Sequence, residues 1–279
     1  MTILPEQEVD ATSSPLARFG AELRRSRRAR GWSQIETSRR MGYSNTLVSC
    51  IERATRSPTK KFAVKADMVF EMDGAFVELW RRYSRAALLE GFEEFAECEG
   101  RCRRLRTFEL GVIPGLFQVP RYTEALAFAA VKRGSITREQ ADERIAFLAA
   151  RQKRVLEQRK PPLVHAVMDE SCLMRPVGGR DVMLSQFDHL EELADRPNLT
   201  IQVAPYSLAE HVPFTMPVVL LTLPDRSVIG YAESQLRGNL ERGREPVAAW
   251  ERDYDRLQVE SRSTVASLAM IRAARKELE

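Results

Sequence analysis

The chain has 279 residues, of which 44% are apolar and 29% are charged, and its formal net charge is +4. This length accommodates two domains, and the apolar share suffices for the cores of a soluble protein. The longest apolar run, near residues 217–224, is far shorter than the roughly 20 residues of a membrane helix, which excludes a membrane-spanning protein. The sequence shows no basic-then-apolar signal pattern and no C-x-x-C pair among Cys50, Cys98, Cys102 and Cys172. We therefore expect a cytoplasmic location and reduced thiols.

Residues 1–15 combine three acids with a serine pair beside a proline and lack any apolar period, so we predict a disordered tail. An amphipathic first helix is predicted over residues 16–30. Its spacing turns Phe19, Leu23 and Ala29 inward and leaves the arginines outward.

Residues 32–58 predict a helix, a tight turn and a second helix. Ser33 and Glu36 form the S-x-x-E pattern of a capping box at the start of the first of these helices. Gly42 stands where a helix end requires a left-handed residue. Ser44 then offers an N-cap acceptor for the second helix.

The second helix of this motif, predicted over residues 45–53, has two different faces. Val48 and Ile51 suit packing onto the first helix. The opposite face carries short polar or small side chains and one arginine: Asn45, Thr46, Ser49, Cys50 and Arg53. A major groove admits a helix, and such side chains reach base edges, so we predict that this face reads DNA. The alternative is an ordinary solvated face of a helical domain.

Positive charge is concentrated around this motif. Residues 16–65 contain thirteen Lys or Arg against three Asp or Glu, a net charge of +10. Since the whole chain carries +4, the remainder carries −6. A basic module on an otherwise acidic protein is typical of a polyanion binder, which favours DNA as the partner.

This stretch resembles the helix-turn-helix of the xenobiotic-response-element (XRE) family, which is related to phage repressors. The residues that carry the resemblance are Leu23-Arg24, Trp32-Ser33-Gln34, Met41-Gly42-Tyr43-Ser44, Val48, Ile51-Glu52 and Pro58. It implies that Gln34 contacts a phosphate or a base, that the early residues of the second helix read the major groove, and that Arg24 and Glu52 form a structural ion pair. The sequence departs from the family at Thr37-Ser38, where Leu-Ala is usual, and at Arg53-Ala54, where Asn-Gly is usual. The first departure predicts a weaker motif core, and the second a less sharply defined helix end.

Two further helices, predicted over residues 62–71 and 76–89, complete an all-α helix-turn-helix domain over residues 16–90. After a boundary region at residues 91–100 the pattern changes to mixed strands and helices. Strands are predicted over residues 105–110, 163–168, 199–204, 217–223 and 227–232. Helices are predicted over residues 120–131, 137–157 and 182–194 and from residue 247 onward.

The predicted fold class is therefore α+β. The second domain, residues 91–279, is larger and holds a small mixed or antiparallel sheet flanked by helices. The turn signal Pro224-Asp225-Arg226-Ser227 predicts that the last two strands form a hairpin.

The second half resembles the uncharacterised C-terminal domain found behind helix-turn-helix modules in actinobacterial, antitoxin-like regulators. The resemblance is carried by Ile113-Pro114-Gly115-Leu116-Phe117-Gln118, Tyr122, Arg151-Gln152, Asp169-Glu170, Val177-Gly178-Gly179 and Tyr231-Ala232-Glu233, in this order. It implies a regulator, often accompanied by a small partner protein.

The residue patterns of known catalytic sites do not occur in the sequence. His165, His189 and His211 stand apart, and there is no H-E-x-x-H, G-x-S-x-G, Walker or G-x-G-x-x-G pattern. Cys98 and Cys102 would share a helical face, but no nearby histidine completes a metal site. We predict a protein that is not an enzyme and that requires no metal or other cofactor.

Aromatic and methionine side chains of the second half could line a ligand pocket. The candidate pocket residues are Phe117 and Tyr122, with Arg121 and Glu170 as polar contributors. The alternative is a plain hydrophobic core, which we favour for any single apolar residue.

Together these features predict a sequence-specific transcriptional regulator that binds a double-stranded DNA operator. Phosphate contacts are assigned to Gln34, Ser44, Arg56, Lys60 and the arginines of the first helix. One module buries too little surface for high specificity, which favours a homodimer whose C-terminal domain dimerises and binds a small-molecule effector or a small partner protein. The alternative is an antitoxin-like protein that sequesters a small partner and regulates its own operon.

Overall fold

The computed structural model describes residues 15–85, 91–234 and 237–279. The chain divides into two compact units, residues 1–87 with 136–143 and residues 88–135 with 144–279. The predicted tail over residues 1–14 lies outside the described residues, as do residues 86–90 at the predicted domain boundary. Pro15, which the sequence analysis assigned to the tail, begins the first helix. The grouping of residues 136–143 with the first unit was not predicted.

Five helices form residues 15–85 of the first unit. They are α1 (Pro15–Ala29), α2 (Gln34–Met41), α3 (Asn45–Glu52), α4 (Lys60–Phe70) and α5 (Ala75–Arg85). The inward stripe of α1 is confirmed at Phe19 and Leu23, both completely buried, but Ala29 is exposed because α1 ends there. The Phe19 ring lies 6.3 Å from that of Phe62 and 5.5 Å from that of Phe76, so α1 joins α4 and α5 in one aromatic core.

From residue 91 onward the described chain alternates strands and helices. The strands are β1 (Arg104–Glu109), β2 (Leu163–Asp169), β3 (Leu199–Ala204), β4 (Val218–Thr222), β5 (Val228–Glu233) and β6 (Gly238–Glu241). The helices are α6 (Phe92–Glu99), α7 (Pro120–Lys132), α8 (Arg138–Leu156), α9 (Ser171–Met174), α10 (Arg180–Ala194), α11 (Arg244–Glu260) and α12 (Thr264–Glu277). The α+β fold class is confirmed.

The sheet of the second unit is mixed. Its strand order is β3-β2-β1-β4-β5-β6, with β1, β2 and β3 parallel and the remaining pairs antiparallel. Strands β4 and β5 form the predicted hairpin, closed by a hydrogen bond from the Leu223 N–H to the Ser227 carbonyl at 2.9 Å. Strand β6 was not predicted. Its Gly238 fits beneath Tyr231, whose hydroxyl oxygen would lie only 2.0 Å from a Cβ at that position.

Apolar side chains cover both faces of this sheet. One face packs into the main core together with residues of α6, α8, α10 and α12. The other face packs against Val247, Tyr254 and Leu257 of α11. Tyr254 donates a hydrogen bond to the His165 carbonyl of β2 at 2.9 Å, which anchors α11 to the centre of the sheet. No helix in the described part of the chain is long and apolar enough to cross a membrane.

Candidate nucleic-acid interface

Hydrogen-bonded caps define where the two motif helices begin. Ser33 Oγ accepts a hydrogen bond from the Glu36 N–H at 3.1 Å, and Ser44 Oγ accepts one from the Leu47 N–H at 3.2 Å. Gly42 ends α2 with a φ of 71°, a left-handed conformation that glycine adopts without steric cost. Helix α3 therefore starts where the sequence predicts.

The predicted capping box is only half formed. The Glu36 carboxylate accepts a hydrogen bond from Arg40 Nε at 2.7 Å, one helical turn further on, and does not turn back to Ser33. The Arg40 guanidinium lies over the Trp32 ring, with 4.3 Å between Cζ and the ring centroid. This cation–π contact holds the start of α2 in a way that the sequence pattern did not predict.

Helix α3 turns one face to the core and the other to solvent. Val48 and Ile51 are completely buried, as predicted from their spacing. The predicted base-reading side chains lie on the outward face; Asn45, Thr46 and Arg53 are exposed, and Ser49 and Cys50 are half-buried. Their role in reading bases stays a prediction, but the structure presents them together on one accessible surface.

Arg53 follows α3 directly and folds back along it. Its Nε donates to the Ser49 carbonyl at 3.3 Å, and its Nη2 lies 3.8 Å from the Cys50 sulfur. Thr55 Oγ1 donates to the Cys50 carbonyl at 3.1 Å and closes the helix end. The contacts of Arg53 are long and exposed, so its guanidinium can exchange them for a guanine edge or a phosphate at little cost.

Glu52 anchors the motif from the buried side of α3. Its carboxylate accepts two hydrogen bonds from Arg27, at 2.6 Å from Nε and 2.9 Å from Nη2, and one from Gln34 Nε2 at 2.8 Å. Arg24, the partner that the resemblance implied, lies farther away, at 3.9 Å from Nε to Oε2, and donates instead to the Glu52 backbone carbonyl at 3.1 Å. Arg27 was not predicted as a partner of Glu52, although its position three residues after Arg24 places it on the same helix face.

The candidate phosphate contacts fall into two groups. Ser44, Arg56 and Lys60 are exposed next to the ends of α3 and α4, where they can meet a DNA backbone. Gln34 is different because the buried carboxylate of Glu52 already takes one of its amide protons. Of the α1 arginines, Arg24 and Arg27 are buried and structural, whereas Arg18, Arg25 and Arg28 are exposed. Arg30, which follows the end of α1, is exposed as well.

Comparison with known protein families gives one match in each part of the chain. Residues 18–80 match a family described as a helix-turn-helix domain. Residues 92–273 match a family described as a domain of unknown function, DUF5753, and this match spans more than half of the chain. The chain belongs to the DUF5753 family. No curated protein and no solved structure gives a significant match to it.

The helix-turn-helix match supports a DNA-binding regulator in front of the DUF5753 domain. It covers the five described helices from α1 to the middle of α5 and includes every candidate DNA-contacting residue. The XRE subgroup and the antitoxin-like group stay predictions.

Within the DUF5753 domain, the four candidate pocket residues lie in different surroundings. Phe117 and Tyr122 are completely buried in the main core, and Tyr122 Oη accepts a hydrogen bond from the Ile113 N–H at 3.1 Å. Arg121 is exposed, and a Glu170 carboxylate oxygen accepts a hydrogen bond from the Tyr206 N–H at 2.7 Å. Phe117 lines a cavity of about 20 Å³ whose lining includes none of the other three.

Several residues that carried the resemblance to actinobacterial, antitoxin-like regulators contact one another in the structure. Gln152 of α8 donates to the carbonyls of Gly115 and Gln118, both at 2.8 Å, and so clamps the turn between β1 and α7. Arg151, its neighbour, donates to both carboxylate oxygens of Glu99 at 2.5 and 2.7 Å. Residues of this set that are distant in the sequence, such as Gln118 and Gln152, are therefore in direct contact in the fold. Among the described residues no group of three or more His, Cys, Asp or Glu is arranged to hold a metal ion.

Proposed function

We propose that this protein is a sequence-specific transcriptional regulator that binds double-stranded DNA by placing α3 in the major groove. The observation that carries the proposal is the capped helix α3, which exposes Asn45, Thr46 and Arg53 on a unit of strongly positive charge. Helices of this kind read base edges with short polar side chains, while surrounding cations neutralise phosphates.

The two kinds of contact have different roles. Asn45, Thr46, Ser49, Cys50 and Arg53 read bases, and Arg53 can also take a guanine bidentately. Gln34, Ser44, Arg56, Lys60 and the exposed α1 arginines fix the position of the domain on the backbone without reading sequence. The buried Arg27–Glu52 pair supports this surface by holding α3 against α1.

We further propose that the protein acts as a homodimer in the cytoplasm. One module of this size buries roughly 600–1,000 Å² on DNA, too little for high specificity alone. A two-fold operator with half-sites about 34 Å apart, or a multiple of that distance, doubles the contact area. The DUF5753 domain would supply dimerisation and effector or partner binding, without enzymatic activity or a cofactor.

Alanine substitutions on the reading face test the proposal. Asn45→Ala and Arg53→Ala should each weaken operator binding by about 1–3 kcal/mol, because each removes a base contact. Binding is measured by fluorescence anisotropy on the footprinted operator and on a scrambled duplex of equal length. Lys160→Ala, an exposed cation of the second unit, serves as the matched control. A change below about 0.5 kcal/mol for both reading-face variants, with unchanged circular dichroism, would refute this assignment.

An antitoxin-like role is the second candidate, favoured by the ordered residues that resemble such regulators and cluster around Arg151 and Gln152. In that case the protein sequesters a small partner protein, and DNA binding only adjusts its own expression. Co-purification of a stoichiometric small partner that lowers operator affinity would support this role. If the purified protein instead binds its operator with undiminished affinity and no small partner protein co-purifies, the result would favour the role of transcriptional regulator.

A further inference from the structure

An open groove lies on the helix-turn-helix unit, between α4 and the turn that joins α2 to α3. Its volume is about 730 Å³. The turn supplies one wall of the groove through Met41, Gly42 and Tyr43. The other wall consists of five residues of α4: Lys60, Lys61, Val64, Lys65 and Met68.

Apolar side chains line much of this groove without being covered. Helix α4 buries Phe62, Ala66 and Phe70 in the core of the unit, whereas Val64 and Met68, one helical turn apart, lie on its outward side. Val64 is 41% exposed and Met68 is 68% exposed. An occupant with apolar side chains would remove this surface from water, which favours its binding.

Three lysines surround these apolar side chains. Lys60 and Lys61 are exposed, and Lys65 is half-buried. Asp67, the acid of the same helix, is already engaged, because its carboxylate accepts hydrogen bonds from two backbone N–H groups at the start of α5, at 2.8 and 2.9 Å. Within the described ranges neither Lys61 nor Lys65 forms an ion pair. The groove therefore presents positive charge that no acid balances there.

The combination of lysines and apolar side chains restricts what the groove can bind. DNA phosphates would pair with the lysines but would leave Val64 and Met68 uncovered. A second copy of the same surface would bring two basic units together, since residues 16–65 carry a net charge of +10. A segment that is acidic and also carries apolar side chains satisfies both features of the groove.

Residues 1–14, which precede α1, have this character. They contain no Lys or Arg and three acids: Glu6, Glu8 and Asp10. Ile3, Leu4 and Val9 supply apolar side chains before and between these acids. The segment thus offers one carboxylate for each lysine of the groove.

The start of α1 is within reach of the groove. Phe19 follows Pro15 by about one helical turn, and its ring lies 6.3 Å from that of Phe62, which in turn lies 5.0 Å from the Tyr43 ring in the groove wall. The path from Pro15 to Tyr43 is therefore roughly 20 Å, whereas fourteen extended residues span up to about 45 Å. A short connection of this kind keeps the segment at an effective concentration of about millimolar, so weak contacts suffice for binding.

We propose that residues 1–14 bind in this groove in the absence of DNA. Their carboxylates pair with the three lysines, and their apolar side chains cover Val64 and Met68. The bound segment competes with DNA, because Lys60 and the adjacent Ser44 are the residues assigned to phosphates. Only this competition rests on the proposed function, since the docking itself requires no DNA.

Methyl NMR of the full chain without DNA tests the docking. A soluble paramagnetic probe broadens each carbon-13-labelled methionine methyl signal according to its access to solvent, and Met68→Leu identifies the signal of Met68. Met68 is more exposed in the described part of the chain than Met174 of the second unit, at 68% against 53%. An empty groove therefore predicts the stronger broadening at Met68, and a bound segment predicts the reverse order.

Two variants release the segment from opposite sides. One neutralises the segment by Glu6→Gln, Glu8→Gln and Asp10→Asn, and the other neutralises the groove by Lys61→Gln and Lys65→Gln. Each should at least double the broadening at the Met68 methyl group and leave that at Met174 unchanged. Stronger broadening at Met68 than at Met174 in the parent protein, or no change in either variant, would overturn the docking. Protection of Met68 that appears only as the protein concentration rises would also overturn it and would indicate a second copy in the groove.

Operator binding measures the competition separately. If the segment occupies the groove in about four of five molecules, neutralising it should raise operator affinity about fivefold. The matched control makes the same change of net charge at three exposed acids of the second unit and should alter affinity less than twofold: Glu210→Gln, Glu245→Gln and Glu260→Gln. Equal effects of the two sets would overturn the competition. A protein that binds no DNA at all would refute the proposed function and leave the NMR result on docking in force.

Discussion

At the level of single residues, the helix-turn-helix unit depends on the buried carboxylate of Glu52. Its oxygens accept hydrogen bonds from Arg27 and Gln34, and Arg24 approaches the same group. Removing one partner of a buried pair leaves the other charge without compensation, which costs far more than breaking a surface pair.

Glu52→Gln should therefore destabilise α3 by about 3 kcal/mol, because Arg27 stays buried while its countercharge is lost. Glu36→Gln is the matched control, since it breaks only the exposed pair with Arg40 and should cost about 0.3–0.5 kcal/mol. Native-state hydrogen exchange of the α3 amides measures both variants. A loss below about 1 kcal/mol for Glu52→Gln would contradict the structural importance of the pair.

The two unusual residues of the motif core, Thr37 and Ser38, behave differently. Ser38 Oγ donates to the Ile35 carbonyl at 2.8 Å, but the Thr37 hydroxyl is completely buried and has no hydrogen-bond partner among the described residues. Thr37→Val should stabilise the unit by about 1 kcal/mol, because it replaces an unsatisfied hydroxyl by a methyl group of similar size. The exposed Thr46→Val serves as the control in the same urea titration. Destabilisation by Thr37→Val would show that the hydroxyl has a partner in solution.

The titration of Glu109 predicts how the stability of the DUF5753 domain depends on pH. Burial, and next the negative charge of Glu233, raises the pKa of the Glu109 carboxyl group from the ordinary 4.5 to about 8 in the folded domain. The folded domain therefore keeps this proton to a higher pH than the unfolded chain does. Its contribution to stability is therefore complete below about 4.5 and is lost as pH rises towards 8. Glu109→Gln should flatten this decline in unfolding midpoints measured from pH 5 to pH 9. Parallel pH profiles for the variant and the parent protein would contradict the shifted pKa.

At the level of elements, the end of α3 shows how a departure from a family pattern is accommodated. The resemblance predicted a less sharply defined end at Arg53-Ala54, yet α3 stops at Glu52 and the turn closes through Ala54, whose φ is 54°. Alanine thus takes a left-handed conformation that favours glycine.

Ala54→Gly should stabilise the α3 end by about 0.5–1 kcal/mol, because the relief of left-handed strain exceeds the entropy that glycine adds to the unfolded chain. Ala29→Gly, at the end of α1, should have the opposite sign, since this residue is helical. Urea denaturation of both variants compares the two effects. Equal destabilisation by both substitutions would argue against strain at Ala54.

Elements with strong local signals were predictable from the sequence, and elements made by tertiary contacts were not. Strand β3 and the β4–β5 hairpin follow from β-branched residues and a clear turn signal. Strand β6, Gly238–Glu241, lacks such residues and exists because it pairs with β5. Helix α6 was read as part of a boundary, since its acids and aromatics show their role only where Phe95 stacks on Tyr231 at 4.0 Å.

The candidate sites likewise divide into those that local sequence signals predict and those that only tertiary contacts create. The outward face of α3 was predictable because helical periodicity alone assigns Asn45 and Arg53 to it. The small cavity lined by Glu109, Phe117 and Arg151 was not, because these residues come from β1, from the turn before α7 and from α8, which are distant in the sequence. Only the fold brings such residues together.

At the level of the whole molecule, the basic first unit and the acidic remainder imply that phosphate contacts dominate DNA affinity. The logarithm of the binding constant should fall linearly with that of the salt concentration, with a slope of about −0.9 per phosphate neutralised. Arg56→Ala should reduce this slope by about 1 per bound domain, whereas Lys160→Ala leaves it unchanged. Anisotropy titrations from 50 to 300 mM salt measure this. A flat salt response would contradict phosphate-driven binding.

Genomic footprinting of the intact protein at low salt tests the central claim most directly, because it returns the operator, its symmetry and its spacing together. The proposal predicts discrete protected sites made of two inverted half-sites, with centres about 34 Å apart or a multiple of that distance. It also predicts that Asn45→Ala and Arg53→Ala lose this protection while remaining folded. Absence of any protected site at low salt, or protection that both variants retain in full, would contradict the role of α3 as the reading helix.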